Sequence, residues 1–237
     1  MIWKTALHLA LCWIVLSLVS GQLTKEQKDQ IVALHNHYRS VVSPKAADML
    51  HMVWNNTLSS IAQRYAARCN FNYNMDVRDK LGENIFLTTR DFNITEAIAS
   101  WFNEHKHYEY ATQTCNTRCR HYTQMVWANS SRVGCASHFC ETLNDEKNAM
   151  FLVCNYSPLY IEGKTPYREG DPCSKCPEET SECIENACAQ IESSTKKSIM
   201  NPRTTDTSRT GPPGSAGFTK LSVTTLLLSV LMTSLIF

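Results

Sequence analysis

The chain lacks an excess of either charge: 23 Lys and Arg stand against 22 Asp and Glu, a formal +1 over 237 residues. Without a long-range field to gather a polyanion, nucleic acid is not an expected partner. The sequence also lacks internal repeats, the Gly-x-Ser-x-Gly elbow of serine hydrolases and the His-Glu-x-x-His of zinc proteases, so no motif announces a nucleophile or an activated water. What it has in quantity is cysteine, eleven residues, beside 43% hydrophobic and 19% charged residues that permit a folded core. A cytosolic chain would have to keep those thiols reduced or metal-bound.

The two ends argue for a different compartment. Residues 1–21 carry Lys4 as their only charge, and an apolar run from Ala6 to Val19 leads to Ser20-Gly21. This pattern reads as a secretory leader cleaved after about Gly21, because the run is short of the roughly 20 residues a membrane span needs. Residues 221–237 are apolar and uncharged, with no basic residue after them. Small residues (Gly211, Gly214, Ser215, Ala216) and a spacer ending at Lys220 precede them, the order of signals for a glycosylphosphatidylinositol anchor, with a retained tail as the alternative. The expected location is extracellular, at the cell surface, with membrane attachment through the C-terminus.

Removal of residues 1–21 takes Cys12 with it and leaves an even set: Cys69, Cys115, Cys119, Cys135, Cys140, Cys154, Cys173, Cys176, Cys183 and Cys188. Five disulfides are expected, with pairings that spacing leaves open. The first six lie in sequence with apolar periodicity; the last four sit within sixteen residues nearly devoid of large apolar side chains. Residues 22–166 are therefore expected to form the core-bearing domain and 167–189 a segment in which bridges replace a core. Its Cys-x-x-Cys and Cys-x4-Cys could also be zinc thiolates, but secretion favours bridges. Residues 190–220, rich in Ser, Thr and Pro, read as a stalk.

Thr24 and Gln27 form a capping-box pattern ahead of Ile31, Leu34 and Tyr38, which predicts a helix to about Val41. Leu58, Ile61, Ala62, Tyr65, Ala66 and Cys69 share a helical face, capped by Thr57 or Asn56. Thr95 is the expected cap of a third helix whose stripe runs from Ala97 through His105 to Tyr108. Strands are predicted at 122–127, 133–139 and 149–155, with turns at 129–131 and 141–148. Helices first and antiparallel strands later indicate an α+β fold. Sequons occur at Asn55, Asn93, Asn129 and Asn155; the first three suit glycosylation, and Asn155 is expected to be buried and bare.

Four segments resemble the signatures of the CAP family, which comprises cysteine-rich secretory proteins, antigen five and pathogenesis-related proteins: His35-Asn36-His37-Tyr38-Arg39, Gly82-Glu83-Asn84-Ile85, the run His121 to Trp127, and the run Phe151 to Tyr156. After Tyr156 the chain reads Ser157-Pro158-Leu159, a departure from the family's usual Gly-Asn continuation. The resemblance implies a three-layer α-β-α sandwich, followed here by a disulfide-stapled hinge. It also implies that His35, Asn36 and Arg39 bind loop backbone, and it implies a cleft with two histidines and two glutamates. The matching positions are Glu83, Glu104 and His121, but where Cys-x-Phe-x-His is usual this chain reads Cys69-Asn70-Phe71-Asn72-Tyr73.

Paired imidazoles suit zinc, whereas a tyrosine must lose a proton held to a pKa near 10 before it can ligate. One reading is a site of His121, Glu83 and Glu104, with His105 or His107 as substitutes, although helical spacing puts His105 on the apolar stripe. The alternative is a hydrogen-bonded polar cluster of Tyr73, Glu83, Glu104 and His121 without metal or cofactor. With no activated nucleophile in view, the chain is expected to be a binding protein and not an enzyme. Its expected partner is an extracellular protein; the resemblance implies a role in peptidase inhibition, with a protease as one target. The family also offers sterol or lipid carriage, with 141–148 as a candidate wall, and zinc-dependent hydrolysis at the cleft. Trp54, Trp101 and Trp127 read as core, and His51 and His138 as surface residues.

Overall fold

The structure, a computed structural model, describes residues 22–180 and 182–190. The expected leader at 1–21, the stalk beyond residue 190 and the tail at 221–237 lie outside the described residues. The first helix, α1 (Lys25–Ser40), begins where local chemistry dictates: Thr24 Oγ1 accepts from Gln27 N and Gln27 Oε1 accepts from Thr24 N. Strand β1 (Val53–Trp54) follows, then α2 (Asn56–Ala66). The cap of α2 is Asn55, whose Oδ1 accepts from Leu58 N, and not Thr57 or Asn56. After β2 (Gly82–Thr88) comes α3 (Ile94–Phe102), capped by Asn93 in place of Thr95. Thr95 instead accepts a bond from Gln30 of α1 at 3.1 Å.

The expected continuation of α3 to Tyr108 is not observed. The chain tightens into a 3-10 turn at Asn103–His107 and enters β3 (Tyr108–Glu109), paired with β4 (Thr114–Cys115). Residues 122–127, expected as a strand, instead contribute to a helix, α4 (Arg120–Met125). Five of its six residues are buried, so its sequence carries no one-sided period. Helix α4 is too short to stand alone, and opposite charges from other elements hold its ends. Glu104 accepts from the amides of His121 and Tyr122. At the other end Arg39 of α1 donates to the carbonyls of Met125, Trp127 and Ala128, and also to Leu50.

Strands β5 (Arg132–Leu143) and β6 (Glu146–Ser157) form a long hairpin. The expected turn at 141–148 shrinks to Asn144-Asp145, with φ of 50° and 69°, residue types that tolerate the left-handed turn a two-residue hairpin needs. Both remaining ends of that stretch are strand, so 141–148 is not a loose wall. The sheet order is β1-β5-β6-β2, with β1 parallel to β5 and the other pairs antiparallel. β2 falls between helices, which corrects the expected helices-then-strands order within an α+β fold.

Alternation along the hairpin serves two cores. Val133, Cys135, Leu152, Cys154 and Tyr156 pack with Ile31, Ile98, Trp101 and Met125 from α1, α3 and α4. Ala136, Cys140, Phe151 and Val153 pack with Ala62, Tyr65 and Ala66 of α2 on the opposite face. A sheet buried on both faces by helices is the three-layer sandwich. Gly134 permits the close approach of α2, since a Cβ there would lie 2.3 Å from Asn55 O and Ser59 N.

All ten cysteines described are bridged: Cys69–Cys140, Cys115–Cys119, Cys135–Cys154, Cys173–Cys183 and Cys176–Cys188. The sulfurs of Cys173, Cys176 and Cys188 lie within 4.8 Å of one another, which would suit metal ligation. Oxidised, these sulfurs belong to two adjacent disulfides and lack the thiolate charge that binds zinc. The stapled segment carries β7 (Glu182–Ile184) and β8 (Ala187–Ala189) and is tied to the domain through backbone. Cys188 N donates to Met49 O at 2.7 Å and its carbonyl accepts from His51 N at 2.8 Å; Ala47 N and Lys175 N bond across the same seam.

Candidate functional site

The four cleft positions arrive from four elements. Tyr73 follows α2 in a loop tied back by Cys69–Cys140. Glu83 is the second residue of β2, opposite Asn155 of β6. Glu104 lies in the 3-10 turn after α3, and His121 is the second residue of α4. Gly82 lets β2 and α4 come together, because a Cβ there would sit 2.0 Å from Gln124 Oε1.

Three of the four are joined directly. Glu104 Oε1 lies 2.7 Å from His121 Nδ1, and its Oε2 accepts from His121 N at 2.9 Å. Tyr73 Oη lies 3.2 Å from His121 Nε2. The carboxylate accepts, so Nδ1 carries a proton, and in the neutral ring Nε2 is left as the acceptor. Burial holds the Tyr73 hydroxyl above the ordinary tyrosine value, opposed by the Arg120 charge; it stays protonated and donates to Nε2. Arg120 lies over the Tyr73 ring, its Cζ 4.2 Å from the centroid.

Glu83 stands one step away. Its Oε1 accepts from Asn74 N at 2.7 Å and its Oε2 from Asn155 Nδ2 at 3.1 Å. Burial pushes the Glu83 carboxyl above the usual range, while these two bonds pull the other way. Asn84 Nδ2 donates to His121 O at 3.0 Å and to the Tyr156 hydroxyl, which also meets His35 Nε2 at 2.8 Å. The arrangement is a polar cluster whose titratable groups are bonded to one another or to backbone.

Other expected residues separate as follows. His105 bonds Phe102 O and lies tilted against the Phe102 ring, with no bond to the cluster. Asn36 clamps Met52 through both backbone groups, and Arg39, 1% exposed, binds the four carbonyls described above. Trp101 and Trp127 are core; Trp54 is half-buried with Nε1 on Asn56. His51 and His138, expected at the surface, are half-buried. Asn155 is fully buried with its Nδ2 spent on Glu83 and Gly82. Asn93 and Asn129 are exposed and Asn55 is half-buried.

Sequence reasoning did not anticipate Asn74, Asn84 or Arg120. Asn84 and Arg120 adjoin Glu83 and His121 and were within reach of the motifs. Asn74 acts through its backbone amide and gives no side-chain signal.

Residues 32–156 match the CAP family, the cysteine-rich secretory protein family, and the chain belongs to it. It is 43% identical over 190 residues to Peptidase inhibitor 16 of Mus musculus, covering 78% of this chain and 38% of that protein. It is 39% identical over 172 residues to GLIPR1-like protein 1 of Homo sapiens, covering 68% of this chain and 70% of that one. The chain thus matches 35–38% of the length of the Peptidase inhibitor 16 relatives. Among solved structures it is similar to NaASP2 with Zn2+, at 27% identity and a TM-score of 0.60, covering 71% of this chain and 97% of that one.

The donor set here does not fit zinc. It offers one imidazole, whose Nε2 already accepts from Tyr73, and both oxygens of Glu83 and of Glu104 are engaged within the protein. The carboxylate oxygens keep further lone pairs, but an imidazole nitrogen has one, so a metal at Nε2 would first have to displace the Tyr73 hydroxyl, and no second imidazole stands in the cluster to complete a zinc set.

Proposed function

We propose that this chain is an extracellular recognition module, tethered to the membrane through its C-terminal tail, whose cleft binds a protein partner without catalysing a reaction on it. The observation that carries the reading is the closure of His121: Glu104 holds Nδ1 and Tyr73 holds Nε2. A general base acts on a proton within its reach, and the one proton facing Nε2 belongs to the Tyr73 hydroxyl, which burial holds above the ordinary tyrosine value and so makes a poor source of a nucleophile. Five bridges support an oxidising compartment, and the exposed Asn93 and Asn129, with Asn55, are the proposed glycan sites.

The names of its relatives suggest peptidase inhibition, and a protease is the first class of partner to test. Arg118 and Arg120 are exposed near Tyr73, and neither guanidinium has an ion-pair or hydrogen-bond partner among the described residues. A partner presenting carboxylates there would complete both. The test is phospholipase release of the cell-surface protein, cross-linking of the released form to its partner, and repetition with Arg120→Glu. Capture that weakens at least tenfold in the variant supports the reading. A turnover activity that disappears in His121→Ala would overturn it.

A further inference from the structure

We infer that Tyr73 is a built-in plug that denies this cleft a metal ion, so that exchange of this one side chain converts a metal-refusing CAP cleft into a metal-binding one. The inference goes beyond partner recognition and does not depend on it, because metal affinity is read directly.

Three observations meet at the residue. The Tyr73 hydroxyl faces the single imidazole nitrogen that could ligate, His121 Nε2, at 3.2 Å. The other nitrogen is already fixed by Glu104 at 2.7 Å, the carboxylate–histidine arrangement that orients an imidazole toward a metal on its far side. The histidine is therefore prepared as a ligand and then capped. Over the cap lies the Arg120 guanidinium, 4.2 Å from the ring centre, which holds the phenol in place and sets a positive charge against it. A divalent ion would have to displace the phenol, approach a guanidinium and strip Glu83 from Asn74 and Asn155.

Loss of the usual histidine at this position does not by itself predict the same behaviour. A mere absence of donor would leave Nε2 open to a weakly bound ion, whereas a plug closes it. Tyr73→Phe separates the two accounts, since it removes the hydroxyl and adds no ligand. Tyr73→His removes the hydroxyl and supplies a second imidazole.

The experiment is titration of the intact glycosylated ectodomain, wild type and both variants, with Zn2+ alone, followed by calorimetry and by metal content after gel filtration. Imidazole 15N spectra of His121 are recorded in parallel. Wild type is expected to retain no zinc at the cleft, with His121 as the Nδ1–H tautomer and unmoved by the ion. Tyr73→Phe is expected to bind about 10-fold more tightly than wild type, and Tyr73→His about 100-fold or more, at one ion per chain, within the range by which groups supporting a ligand alter affinity. Equal affinities for wild type and Tyr73→Phe would overturn the plug. So would a wild-type cleft that takes up one zinc with a shift of the His121 Nε2 signal. Should Tyr73→His fail to fold, the Tyr73→Phe comparison and the wild-type spectrum decide the matter alone.

Discussion

The sandwich built on the β1-β5-β6-β2 sheet and the disulfide-stapled stretch that follows it hold their shapes by different means. The domain buries Trp101, Phe151, Tyr156, Ile31, Ile98 and Leu152 on two faces of one sheet. Across residues 167–190 only Tyr167, Ala187, Cys188 and Ala189 are buried among the described residues, and Tyr167 packs into the core of the sandwich and not within the stretch itself. Fixing each backbone residue costs about 1–2 kcal/mol, and three small side chains return only a fraction of that at ~25 cal/mol per Å². Two bridges and a backbone seam to residues 45–51 make up the difference. The same covalent bond therefore has two roles: Cys135–Cys154 reinforces a pair already in register in a core, and Cys173–Cys183 stands in for a core.

The largest effect that would sharpen this contrast is expected at Arg39. Its guanidinium serves the carbonyls of Leu50, Met125, Trp127 and Ala128, and burial pushes its pKa down to about 9. Arg39→Met strands several buried acceptors, at about 1–3 kcal/mol each, so a loss of about 4 kcal/mol or more is expected in urea unfolding. Arg39→Lys should not restore it, because an ammonium lacks the planar fork. A loss below about 1 kcal/mol would show that the domain does not depend on polar clamps.

The next effect is acid lability. His35 is fully buried between Ile31 O and the Tyr156 hydroxyl, near Arg39, and burial lowers its pKa from 6.5 to about 4. The unfolded chain takes up this proton first, so stability present above pH 6.5 falls as pH drops toward 4, by about 3 kcal/mol in all. Glu83, held above its ordinary value, works in the opposite sense: its contribution is present below pH 4.5 and is lost as pH rises through its folded value. Urea midpoints at neutral and acid pH should converge in His35→Gln. An unchanged acid slope would remove His35 as the cause.

Which parts of this were legible in the sequence follows from where their causes lie. The Thr24–Gln27 box is local and was readable. The caps at Asn55 and Asn93 were misassigned to neighbouring residues because Asn-Asn-Thr and Asn-Ile-Thr each place two capping residue types within three positions. Helix α4 was misread as a strand because it forms through Glu104 and Arg39, 17 and 88 residues away in the bonds to His121 and Trp127, and its own residues are buried all round. Tyr73, Glu83, Glu104 and His121 were located by resemblance to the family. That Tyr73 caps Nε2, and that Glu83 reports to a backbone amide, needed coordinates.

The stapled segment supplies the two smaller effects. Cys173→Ser with Cys183→Ser opens a bridge that spans 10 residues, worth roughly 2–3 kcal/mol by loop closure. The loss should appear as faster hydrogen exchange at 182–189, with the urea midpoint of the domain unmoved. A shift in both would mean that the segment is part of the domain's cooperative unfolding and not an appendage to it. Smallest of all is Arg168, whose Nε lies 2.7 Å from Asp48 Oδ2 across the same seam but whose side chain is 61% exposed. Solvent screens such a pair to about 1 kcal/mol or less, and the Arg168 amide would still donate to Asp48. Arg168→Ala should therefore raise exchange at 182–189 less than loss of the bridge does. The reverse order would mean that charge and not sulfur docks the segment.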